Sequence, residues 1–143
     1  MKNKCLEDDF SKGRPNYLCF QDFENKEIYW FIPISSRVRK FEFIYQQKVE
    51  KHKRCNTIQF GEVGGQKRVF LIQNMFPCIE KYVTGQYLIE GKRNAYTLNK
   101  NSEAEILKNA REVLKLHKKG VEIIFPNVLK IEKELLEELQ KNN

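Results

Sequence analysis

Within twenty residues the hydrophobic period of this chain switches from that of a strand to that of a helix, with no linker between. Tyr29-Trp30-Phe31-Ile32-Pro33-Ile34 is a continuous apolar and aromatic run of strand length. Val38, Phe41, Ile44, Tyr45 and Val49 then follow helical spacing, with Arg39, Lys40, Lys48 and Lys51 off that stripe. The pattern predicts an amphipathic helix from about Arg37 to His52. Between the two elements stand only Ser35 and Ser36, followed at once by Arg37, Arg39 and Lys40. A strand presents side chains from a rigid backbone, so hydroxyls and cations at its end form a polar site. Hydroxyls suit a phosphodiester or a ribose, and cations suit the phosphate charge.

The remaining punctuation extends this to an α+β chain. Residues 1–16 are polar and broken by Lys12-Gly13-Arg14-Pro15, and Pro15 fits just before a strand, not within one. Tyr17–Phe23 and Glu27–Pro33, split by Asn25-Lys26, read as a hairpin. Thr57–Val63 and Arg68–Ile72 flank Gly64-Gly65, a two-residue hairpin signal. Ile79–Thr84 and Gln86–Ile89 are expected to extend the sheet. Ser102 with Glu105 reads as a capping box, and Ile106, Ala110, Val113, Leu114 and His117 recur at helical spacing up to a stop at Gly120. A last helix is predicted from near Asn127, using Val128, Ile131, Leu135 and Leu139. Strands first and helices last give one α+β domain over 1–143, with a sheet core at about 14–90 and a helical end at about 102–140.

Charge is distributed unevenly. The chain carries 26 Lys and Arg against 19 Asp and Glu, a net +7, yet residues 102–143 hold eight of each sign and are neutral. The whole excess therefore lies in residues 1–101. Arg37 to Arg54 alone has seven cations and two glutamates. Such asymmetry favours a polyanionic partner on the first two-thirds of the chain. Cys5, Cys19, Cys55 and Cys78 lack zinc-site or disulfide spacing. No apolar run reaches the roughly 18 residues of a membrane span, and no signal peptide opens the chain, so a cytoplasmic setting is expected.

Few catalytic arrangements fit. Ser35 and Ser36 lack the Gly-x-Ser-x-Gly context of a hydrolase nucleophile. Ser36 is also well placed to cap the helix that follows, and a helix start preceded by hydroxyls is itself a phosphate site. Walker, dinucleotide, His-Glu-x-x-His and EF-hand patterns are missing, which leaves no expected metal or cofactor. RNA, however, supplies its own nucleophile. Its 2′-OH attacks the adjacent phosphodiester once a group accepts its proton, the phosphorane is neutralised and the leaving 5′-oxygen is protonated. Arg14 or Arg37 suits a phosphate clamp, since arginine stays charged. Lys12 or Lys40, crowded by other cations, suits proton transfer. A two-histidine mechanism on His52 and His117 is the poorer reading. His52 sits among cations at a helix end, and His117 sits in an apolar stripe. Trp30 and Phe20 are expected in the core, and Tyr17 is the expected stacking surface for a base.

Three motifs in order carry a family resemblance. Lys12-Gly13-Arg14-Pro15, then Tyr29 to Ser36, then Phe70-Leu71-Ile72-Gln73-Asn74-Met75-Phe76-Pro77 resemble the toxins of type III toxin–antitoxin systems. The ToxN/AbiQ group is the nearest, and its CptN branch nearer still. The resemblance covers about residues 12–90. It implies a Kid/MazF-like barrel, a compact and strongly bent antiparallel sheet, with one inserted and two C-terminal helices. It implies a metal-independent endoribonuclease that leaves 2′,3′-cyclic phosphate and 5′-hydroxyl ends. It also implies a small repeat RNA antitoxin, folded as a pseudoknot and processed by the toxin, which blocks the active site in a closed alternating assembly. On the family pattern the catalytic positions are Arg14, with Lys12 as its neighbour, and the Ser35-Ser36 pair. Arg37, Arg39 or Lys40 supplies a further cation, and Val38 stands where a lysine is expected. The RNA-contacting set is Tyr17, Arg37, Arg39, Lys40, Tyr45, Lys48, His52 and Lys53. The alternatives are a non-catalytic RNA-binding module, indifferent to loss of the serines, and a protein adaptor.

Overall fold

Strand β2 (Ile28–Ser35) is the element on which every other described strand depends, directly or at one remove. Ile28, Trp30, Ile32 and Ile34 are buried on one face, the two-residue alternation of a strand set against a core. The computed structural model describes residues 16–82 and 100–141. On one edge, β2 pairs antiparallel with β1 (Asn16–Gln21), from Asn16 opposite Pro33 to Gln21 opposite Tyr29. A bulge at Cys19 turns both Cys19 and Phe20 toward the core, which is why the apolar residues of β1 do not alternate cleanly in sequence. The turn between them is organised by Asp22. Its buried carboxylate accepts from Trp30 Nε1 at 2.8 Å and from the amides of Glu24 and Asn25 at 3.1 and 3.0 Å.

The other edge of β2 is shared. Ile28–Phe31 pairs with β5 (Phe76–Ile79), whereas Ile34 and Ser35 pair with Phe70 and Val69 of β4 (Gln66–Phe70). β3 (Gln59–Val63) closes a hairpin with β4 through Gly64-Gly65, both at positive φ, as a two-residue hairpin turn requires. The sheet is strongly curled, and β2 changes partner along this edge. Pro33 lies at that changeover. Its carbonyl accepts from Leu71 N at 2.9 Å, between the β4 and β5 ladders, so its missing N–H breaks neither ladder. A short 3-10 turn, Ile72–Asn74, carries the chain from β4 to β5.

Helix α1 (Val38–His52) packs Phe41, with Val38, Ile44 and Tyr45, on Ile58, Val69 and Phe60 of the hairpin side. Each large apolar side chain so buried contributes about 1.5–3 kcal/mol. Helices α2 (Lys100–Lys118) and α3 (Val128–Lys141) cover the main core, α2 lying against β1 and the 3-10 turn and α3 against β5. Ile106, Ala110, Val113, Val128 and Leu135 meet the β2 residues there. Gly120 ends α2 at φ 100°. Its amide bonds to His117 O and that of Val121 to Leu116 O, a Schellman closure. Asn127 Oδ1 caps α3 by accepting from Lys130 N at 3.3 Å.

The fold is thus α+β, with a strongly curled antiparallel sheet, one inserted helix and two C-terminal helices. Two boundaries differ from the sequence expectation. The predicted strand Ile79–Thr84 is placed earlier, as β5, and Glu80–Tyr82 is a 3-10 turn. Ser102 does not cap α2, because the helix is already running at Lys100. Gln86–Ile89, like Pro15, lies outside the described residues.

Candidate nucleic-acid interface

The corner between β2 and α1 is fixed from both sides: Ser35 is held opposite Val69, and Phe41 pins the first turn of the helix to the hairpin. The predicted helix cap does not form. The cap position is Arg37, one residue later than a Ser36 cap requires, and no side chain caps the helix. Instead Ser35 Oγ accepts from Arg37 N at 3.1 Å, and Ser36 offers its carbonyl to Val38 N at 2.8 Å. The Ser36 hydroxyl is left exposed, with no hydrogen bond among the described residues. Ser35 uses only a lone pair, so its own O–H remains a donor.

This corner is strongly cationic. The first turn of α1 contains no acidic residue, while Arg39 and Lys40 sit there beside the positive end of the helix dipole. That arrangement costs helix stability unless an anion occupies the corner. The backbone amides of Arg39 and Lys40 also lack hydrogen bonds among the described residues. Of the seven cations between Arg37 and Arg54, only Arg54 has a carboxylate partner among the described residues, Glu112. Arg37, Arg39, Lys40, Lys51, His52 and Lys53 are exposed. Lys40 Nζ lies 5.3 Å from the Phe41 ring centre.

Three of the expected RNA contacts have other work. Tyr17 is half-buried, its ring edge-on to Phe70 at 5.5 Å, and is therefore packing, not a stacking surface. Tyr45 likewise meets Phe60 edge-on at 5.5 Å. Lys48 turns inward and donates to Thr57 Oγ1 at 2.9 Å and Gln73 Oε1 at 2.7 Å, tying α1 to the chain before β3 and to the turn before β5. Neither tyrosines nor lysines reveal in sequence which way they point, since a strand or helix offers each position two kinds of neighbour. Burial raises the Tyr17 hydroxyl well above its ordinary value, and Cys19 and Glu103 add to this. Burial likewise pushes the Cys19 thiol up to about 12, against the pull of Arg111 and with a further push from Glu103. Neither group is a base or nucleophile near neutrality. Lys12 and Arg14 lie outside the described residues.

Asn16 was not a sequence candidate. Both Oδ1 and Nδ2 of its amide are buried without a hydrogen-bond partner, an uncommon state for buried polar atoms. It stands opposite Pro33, two positions from Ser35 along β2. Side chains two apart on a strand share a face, so Asn16 and Ser35 are diagonal neighbours, roughly 7–8 Å apart. Only the pairing register shows this. His117 accepts from Ile124 N at 3.4 Å through Nδ1, a bond within the α2–α3 connection, and His52 is exposed at the end of α1. Among the described residues no three His, Cys, Asp or Glu side chains converge on a possible metal position. No described helix is long and apolar enough to cross a membrane. No protein-family model matches the chain, and no curated protein is detectably similar to it in sequence.

Proposed function

We propose that this chain is a metal-independent endoribonuclease toxin whose active site is the corner between β2 and α1. One observation carries the reading. An exposed, unengaged hydroxyl, Ser36, lies between the end of β2, held by pairing with β4, and an uncapped helix whose first turn holds cations without acids. Such a corner binds a phosphate, and RNA is the phosphodiester that needs no nucleophile from the protein. Ser36 and the remaining O–H of Ser35 donate to the non-bridging oxygens, and Arg37 neutralises the charge that grows as the 2′-oxygen attacks. The bond from the 2′-oxygen to phosphorus forms as the bond to the 5′-oxygen breaks, giving a 2′,3′-cyclic phosphate and a 5′-hydroxyl. Lys40 and Lys12 are the candidates for moving the protons, and Arg14 is a candidate second clamp on the phosphate. The resemblance to type III toxins supports the same chemistry, and it supplies the partner: a repeat RNA, folded as a pseudoknot, cut by the toxin and then retained as its inhibitor. On this reading the protein acts in the cytoplasm, on cellular RNA as its substrate.

The Ser35–Arg37 bond favours a second reading, in which the serines only shape the corner of a non-catalytic RNA-binding module. Ser36→Ala separates the two. Incubated with RNA in the presence of a chelator, the unsubstituted chain is expected to yield fragments with cyclic phosphate and 5′-hydroxyl ends. Ser36→Ala should cut at least 100-fold more slowly, bind RNA comparably, and keep its thermal stability within about 1 kcal/mol, as an exposed substitution does. Undiminished cutting by Ser36→Ala would remove that hydroxyl from the mechanism. Binding without cutting by the unsubstituted chain would leave the module.

A further inference from the structure

We propose that Phe43 is a base-stacking platform, so that the RNA is held here as a single strand with a base unstacked onto α1. The inference rests on the RNA-binding reading of this face and adds the form in which RNA is bound. The Phe43 side chain is 66% exposed in the middle of an otherwise amphipathic helix, and it belongs to neither apolar cluster. Its helical neighbours are Arg39 and Lys40 on the preceding turn and Gln46 and Gln47 on the following one, all exposed. The nearest acids are engaged elsewhere: Glu42 accepts from Lys67 Nζ at 2.8 Å, and Glu50 from Gln46 at 3.4 Å.

Among the described residues two other phenylalanines are comparably exposed, Phe23 and Phe125. Phe23 stands between Asp22 and Glu24, and Phe125 follows the uncharged pair Ile123-Ile124. Of these three, only Phe43 combines a bare ring with flanking cations. That combination fits a ligand that is at once planar, apolar on its face and negatively charged along its edge. A nucleotide with an unpaired base is such a ligand, whereas a duplex hides its base faces. A second copy of this chain does not fit, because the same cations would meet across the contact. With a rise of about 1.5 Å per residue, Phe43 lies about 8 Å along the axis from the start of α1. It can therefore take a base flanking the phosphate held at Ser36, and it performs the role that Tyr17 and Tyr45 are too enclosed to fill.

The test uses two fluorescent probes with the full chain, an oligouridylate of twelve nucleotides and a blunt-ended RNA duplex of two complementary strands. Binding is read by anisotropy at several salt concentrations. Phe43→Ala should weaken oligouridylate binding roughly 5- to 100-fold, leave duplex binding within twofold, and keep the salt slope unchanged. Phe43→Trp should restore the affinity, and Phe23→Ala should have no effect. Equal affinity of Phe43→Ala and the unsubstituted chain for oligouridylate would overturn the inference while leaving the corner and its chemistry standing. Equal losses on both probes would also overturn it, since the blunt duplex offers no unpaired base to stack. An unsubstituted chain that binds neither probe with a salt-dependent affinity would overturn the RNA-binding reading and this inference with it.

Discussion

Ser35 and Ser36 are adjacent and chemically alike, yet the backbone gives them different work. A one-residue delay in the start of α1 lets Ser35 hold the Arg37 amide and leaves the Ser36 hydroxyl exposed. Sequence spacing located the pair, because hydroxyls between a period-two and a helical run sit at a corner in any fold. It could not divide their roles, since the choice of cap depends on where β4 anchors the strand. Asn16 was illegible for a similar reason: its significance lies in a pairing register, not in its neighbours along the chain. Glu132 offers a test at this scale, remote from the corner. Partial burial raises its carboxyl above the ordinary value, Lys118 opposes this, and Asp22 and Glu24 add to the rise. The folded state then keeps a proton that the unfolded chain releases, so stability falls as pH rises from the unfolded to the folded value. The cost is present in full above that interval and absent below it. Glu132→Gln is accordingly expected to raise the urea midpoint at pH 7 and to match the unsubstituted chain below about pH 4. A midpoint difference that ignores pH would contradict this account.

The elements were legible where local chemistry decides them. Gly64-Gly65 sets the β3–β4 turn, the Val38-to-Val49 stripe sets α1, and Gly120 ends α2 through its left-handed backbone. Element ends were less legible where two local signals compete. The Ser102–Glu105 pair is also an ordinary surface pair one turn apart, and in α2 it serves within the helix. Strand β5 lies earlier than expected because Phe76-Pro77-Cys78, interrupted by a proline, gains its strand pairing from β2 and not from a local signal. The β3–β4 hairpin depends on a close approach that no turn signal announces. A methyl group on Gly61 would stand 2.9 Å from Phe70 Cε1, and Phe70 is completely buried between its neighbours and Tyr17. Gly61→Ala should therefore cost about 1–3 kcal/mol, the usual range for overpacking. The loss should appear as a lowered urea midpoint. A neutral result would mean that the ring has room to move.

Across the whole molecule, charge and architecture divide along the same line. The sheet and α1 hold the unpaired cations of the corner, while α2 and α3 balance their charges and cover the core. Paired reversal of Arg39 and Lys40 to glutamate should lower RNA affinity and reduce the log–log salt slope by roughly two. Reversal of Lys133 and Lys141 should change neither by a comparable amount, and equal effects would show that the footprint is not one-sided. The division of β2 between two partners also has a temporal consequence. Trp30, Asp22 and the first hairpin are complete in a short stretch of chain, but the strand partner of Ser35 among the described residues is Val69, which lies well downstream and is delivered by a separate hairpin. During synthesis, then, the serines leave the ribosome long before anything holds them in place. The corner takes shape only once the β3–β4 hairpin has been made and has docked, so the order of synthesis sets the order in which the two ends of β2 become rigid.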